Sequence, residues 1–148
     1  MSLDTYFWWI FIVANAVNLL SAAMFITRVR LPERTGLFGN LALLMGLPAA
    51  ILAVLGMANQ VGLMTWLMPL LYAGFSVFGL LVDVILKIEF RQPRRPAILV
   101  PFLLLFFISL IGMWGMLWNL GVLPWAITGL TYFAMVGASF YALGKGVG

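Results

Sequence analysis

Apolar residues run along this chain in five long blocks, each closed by a short polar or glycine-containing break. The blocks cover residues 5–27, 38–58, 63–86, 97–118 and 125–143. An α-helix needs about 20 largely apolar residues to cross the hydrocarbon core of a bilayer. The pattern therefore predicts an all-α, polytopic transmembrane helical bundle with about five spans. No linker is long enough to separate domains, so residues 1–148 read as a single transmembrane domain.

The breaks alternate in chemistry. The first reads Arg28-Val29-Arg30-Leu31-Pro32-Glu33-Arg34 and predicts a charged loop before the second span. The third runs from Lys87 to Pro96 and carries Lys87, Arg91, Arg94 and Arg95. The second, Asn59-Gln60-Val61-Gly62, and the fourth, Asn119 to Pro124, are uncharged and read as turns. Every Lys and Arg thus falls after span one, three or five, while the opposite side holds Asp4 and no base. The positive-inside rule then predicts an N-terminus outside and a C-terminus in the cytoplasm, in a cell inner membrane of prokaryotic type. The tryptophans mirror this: Trp8, Trp9, Trp66, Trp114, Trp118 and Trp125 lie in the halves away from the bases, as an interfacial belt requires. No Lys or Arg precedes the first block, which predicts a retained helix rather than a cleaved signal peptide.

Composition strengthens this picture and narrows the chemistry. Of the 148 residues 65% are hydrophobic and 8% charged, with a mean hydropathy of +1.15. Soluble domains carry roughly 25% charged residues. There is no cysteine and no histidine, which removes disulfides, thiolate chemistry, the usual haem and zinc ligands and the commonest general base. The expectation is a protein without cofactor or metal and not an enzyme. The net charge of +4 and pI near 10.0 read as a cytoplasmic face against anionic membrane lipids, not as a nucleic-acid surface.

Polar residues inside spans are costly in hydrocarbon and mark interior faces. In the third span Tyr72, Ser76, Gly79 and Asp83 follow one another at four, three and four residues, which places them on one helical face. Asp83 is the one acid within a predicted span, and so a candidate for ion or ligand binding. Lys87 lies one turn further on, and an ion pair at the cytoplasmic rim is the competing reading. Asn15, Asn18 and Ser21 share a face of the first span, where interhelical hydrogen bonds compete with ligand contact. Trp114, flanked by Gly112 and Gly115, is a candidate wall of an outward cavity. Lys87, Arg91, Arg94 and Arg95 are candidate contacts for lipid headgroups. Pro48 and Pro69 should bend their helices, whereas Pro101 stands in the first turns of its span.

These residues favour a small membrane protein that binds or transports a small apolar or weakly polar molecule, or an ion, between spans one, three and five. The alternative is a non-catalytic accessory subunit of a larger membrane complex. Conduction of ions by so few helices would require a homo-oligomer to enclose a pore.

Overall fold

The computed structural model describes residues 1–88 and 95–147. Among these residues every regular element is helical: α1 (Leu3–Arg30), α2 (Pro32–Leu44), α3 (Gly46–Ala58), α4 (Leu63–Gly79), α5 (Pro96–Met116) and α6 (Val122–Gly144). A π-helical turn, Leu80–Ile85, extends α4, and a 3-10 turn, Leu117–Leu120, extends α5. Taken with these extensions, and with α2 and α3 as one span, five helices of 28, 27, 23, 25 and 23 residues are long and apolar enough to cross a membrane.

Local chemistry sets the boundaries. Ser2 caps α1 by accepting the Thr5 N–H at 3.2 Å, and Asp4 sits in the first turn where the helix dipole favours an anion. Arg28 and Arg30 occupy the last turn, where it favours cations. The charged loop expected at 28–37 is not there. A one-residue corner at Leu31 replaces it, and Pro32 opens α2 immediately. The cause is a single proline. A residue before proline is pushed out of the α region, and Leu31 has φ −143° and ψ 68°. Proline itself is favoured at the first position of the next helix, which needs no N–H there.

Pro48 interrupts its span. It has no N–H for the Leu44 carbonyl, and the span breaks at Met45, whose N–H is shared between Leu41 O at 3.3 Å and Ala42 O at 3.2 Å. Pro69 acts differently. Helix α4 runs through it unbroken, and the Thr65 carbonyl that lacks the proline N–H accepts the Tyr6 hydroxyl at 3.1 Å.

Helix α1 is the centre of the bundle. It packs against α2, α3, α5 and α6, while α3 pairs with α4 and α4 with α5. Tyr6, Ile10, Val13, Ala14 and Val17 of α1 are at most 1% exposed. Helices α1 and α6 run parallel, since Asn15 meets Thr128 and Asn18 meets Thr131. The Arg28 end of α1 and the Lys145 end of α6 therefore coincide. Close crossings fix the other pairs. A methyl on Gly46 would overlap the Ser76 side chain, and one on Gly79 would lie 2.7 Å from Leu43 Cδ2.

Candidate functional site

The polar residues of α1 are used to join it to α6. Asn15 Nδ2 donates to the Phe11 carbonyl and to Thr128 Oγ1, each at 2.8 Å, and Thr128 in turn donates to Pro124 O at 3.0 Å. Thr131 donates to Asn15 Oδ1 at 2.7 Å and accepts from Asn18 Nδ2 at 3.1 Å. Thr131 Oγ1 also lies 3.0 Å from Thr128 O, so its single proton is shared between that carbonyl and Asn15 Oδ1. Asn18 is 1% exposed and its Oδ1 has no partner.

The third-span stripe is also buried. Tyr72 is fully buried and donates its hydroxyl to Ala42 O at 2.7 Å, the carbonyl beside the break that Pro48 causes. Ser76 is buried against Gly46. The buried face continues through Gly79 to Val82, with Asp83 half-exposed beside it in the π-helical turn. There the Leu86 N–H reaches back five residues to Leu81 O at 2.8 Å, and such turns recur at functional sites.

Trp114 is packed on α6. Its ring stacks on Trp125 at 5.3 Å and Tyr132 at 5.6 Å, and its Nε1 donates to Trp125 O at 2.9 Å. A methyl on Gly129 would come within 2.8 Å of the Trp114 ring. Trp118 joins edge-on to Trp125 at 5.3 Å. The two helices are thus tied together at the tryptophan end.

At the opposite, basic end the helices frame a half-open cavity of about 620 Å³. Its floor is aromatic: Phe75 of α4 lies with its ring centroid 4.7 Å from Phe102 and 4.9 Å from Phe106 of α5. Met24 and Phe25 of α1 and Leu43 of α2 extend the apolar wall. The polar lining comes from Ser21 and Arg28 of α1, Thr35 and Asn40 of α2, and Asp83. Thr35 Oγ1 is buried and makes no hydrogen bond. Gly36 leaves space along α2, and Gly39 lies close against α1. A Cβ at Gly36 would meet nothing within 4 Å, and one at Gly39 would lie 3.2 Å from Met24 Sδ. Arg28 also stands over the Phe25 ring, 5.6 Å from its centroid.

The residues singled out by sequence therefore separate. Asp83 borders the cavity, whereas Tyr72, Ser76, Asn15, Asn18 and Trp114 are not part of its lining. Lys87 is exposed, with φ 49°, just beyond the π-helical turn. Arg95 is exposed ahead of α5, and Arg91 and Arg94 lie outside the described residues. Sequence reasoning missed Arg28, Thr35, Asn40 and the three phenylalanines. The spacing of Thr35, Gly36, Gly39 and Asn40 marks one polar, open helical face, but it is legible only once the segment is known to be helical.

Among the described residues no three His, Cys, Asp or Glu side chains gather as a metal would require. Comparison with protein families, with curated proteins and with solved structures finds no match for this chain.

Proposed function

We propose that this chain is an integral membrane protein that binds a small amphiphilic molecule in the cavity at its basic end. The observation that carries the reading is the cavity's composition: a phenylalanine floor within the bundle and a polar rim of Arg28, Thr35, Asn40 and Asp83. Ligand sites are concave, largely apolar and furnished with a few placed polar groups, in volumes of about 300–1,000 Å³. In the orientation favoured by the basic residues, the cavity faces the cytoplasmic leaflet of a prokaryotic inner membrane. Binding, or carriage between leaflet and cytoplasm, is the function such a site serves.

Native mass spectrometry of the purified chain tests this. The wild type should carry a reproducible adduct of small-amphiphile mass, and Gly36→Trp, which places a bulky side chain in open space at the cavity, should lose it. A wild type without such an adduct, or a Gly36→Trp variant that keeps it, would contradict the reading.

The accessory-subunit reading has one observation in its favour. Only 22% of the most apolar window of α5 is buried, against 50% for α1. A partner helix packed on α5 would make the chain unstable when expressed alone, and a stable, monodisperse preparation would count against that reading.

A further inference from the structure

Helices α5 and α6 are tied together at one end and stand apart at the other. Their ring contacts join Trp114 and Trp118 to Trp125, Tyr132 and Phe133, all at the tryptophan end. Phe107 precedes Trp114 by seven residues and Leu103 by eleven, so the three share one face of α5. Leu143 follows Tyr132 by eleven residues and continues its face of α6. Towards the basic end these two faces no longer cover each other. Leu103, Phe107 and Leu143 line the cavity instead, and Leu103 is 40% and Leu143 49% exposed. Both leucines thus border the cavity and the outer surface of the bundle at once. The half-open cavity has a side entrance there.

The entrance lies at membrane depth. Leu103 and Phe107 stand about 10 and 16 Å along the helix from Pro96, the first residue of α5. Leu143 is level with Arg30, by the pairing of Asn18 with Thr131. The edges are apolar on both helices, whereas Arg28, Thr35, Asn40 and Asp83 belong to α1, α2 and the π-helical turn. An apolar opening that faces hydrocarbon admits an alkyl chain at no cost in exposed apolar surface, and gives a water-borne solute nothing to bond.

We propose that the cavity is loaded sideways from the bilayer, between the basic-end halves of α5 and α6, and that its ligand is a membrane-dissolved amphiphile. The inference rests on the binding reading above and adds the source of the ligand and its route. An opening that runs from the level of Leu143 to the depth of Phe107 lets a chain slide in while its polar group stays at the interface.

The test uses Leu103→Cys/Leu143→Cys in phosphatidylcholine liposomes, with bis-methanethiosulfonates of graded length to bridge the opening; the chain has no other cysteine. The probe is an uncharged aryl diazirine dissolved in the bilayer. Its insertion is read at Phe75, on the cavity floor, and at Leu104, on the outer surface. Without the bridge both residues should be labelled. Probe added after bridging should label Leu104 and not Phe75. Probe added before bridging, then extracted from the bilayer with albumin, should label Phe75 alone. Reductant should reverse both effects. Phe75 labelling that ignores the bridge, or that is lost in either order of addition, would overturn the sideways route. Excess dodecanol should protect Phe75 in the unbridged protein and leave Leu104 labelled. Absence of that protection would instead overturn the binding reading, whatever the bridge does.

Discussion

The Tyr6 hydroxyl donates to the carbonyl of Thr65, the group that Pro69, four residues on, cannot serve. The same proton is shared with Leu52 O, also at 3.1 Å, so one hydroxyl ties α1 to both α3 and α4. A carbonyl left bare in an apolar interior costs about 1–3 kcal/mol, and a hydroxyl from a neighbouring helix offsets that cost.

This relationship predicts a coupling. Tyr6→Phe should lower stability by about 1–2 kcal/mol in a denaturant titration in micelles. In a Pro69→Ala background, where residue 69 regains an N–H for Thr65 O, the same change should cost less. Equal costs in the two backgrounds would show that Tyr6 acts by packing alone.

The α1–α6 network makes an unequal prediction for its two ends. In Asn15→Leu, Thr128 and Thr131 keep carbonyl acceptors on their own helix, at Pro124 and Thr128. The loss should be about 1 kcal/mol. Thr131→Val strands Asn15 Oδ1 and Asn18 Nδ2 together in the interior, and should cost about 2–3 kcal/mol. Thermal unfolding of the two variants should rank them in that order.

The Gly46–Ser76 crossing can be tested by rescue. A methyl at Gly46 meets the Ser76 Cβ and Oγ, atoms fixed close to the α4 backbone. Gly46→Ala should therefore destabilise by about 1–3 kcal/mol, as overpacking does, and Ser76→Gly should recover most of it. Gly39→Ala provides the contrast. Its methyl would meet the thioether of Met24, which can move aside, so unfolding should shift little.

Two helices end in the same motif with different residues. At α6 the Gly146 N–H bonds to Leu143 O and the Val147 N–H to Ala142 O, with Gly146 at φ 76°. At α3 the Gln60 N–H bonds to Met57 O and the Val61 N–H to Gly56 O, with Gln60 at φ 53°. Glycine takes this left-handed position without a steric penalty that other residues bear. Gln60→Gly should raise stability by about 0.5–1 kcal/mol, read as a higher unfolding temperature.

The spans were legible because hydrocarbon demands long apolar helices whatever the packing. The stripe of Tyr72, Ser76 and Gly79 was legible as an interior face, since helical period and the cost of buried polarity both select it. The purpose of that face was not, because a hydroxyl facing a backbone carbonyl and one facing a ligand share the same spacing. The cavity escaped for a related reason. Thr35 to Asn40 begins in a segment whose charges read as a loop, and Pro32 makes it helical. Phe75, Phe102 and Phe106 read as ordinary core, and only the tertiary arrangement shows that they floor a space.

Because the chain contains no cysteine, single cysteines report one position each. The most direct measurement is the rate at which a water-soluble maleimide modifies Asn40→Cys, on the exposed rim of the cavity, and Arg30→Cys, exposed outside it, with and without dodecanoate. The account predicts that dodecanoate slows Asn40→Cys modification about ten-fold at saturation and leaves Arg30→Cys unchanged. Equal rates at Asn40→Cys with and without dodecanoate, or equal protection at both positions, would contradict an amphiphile site in this cavity.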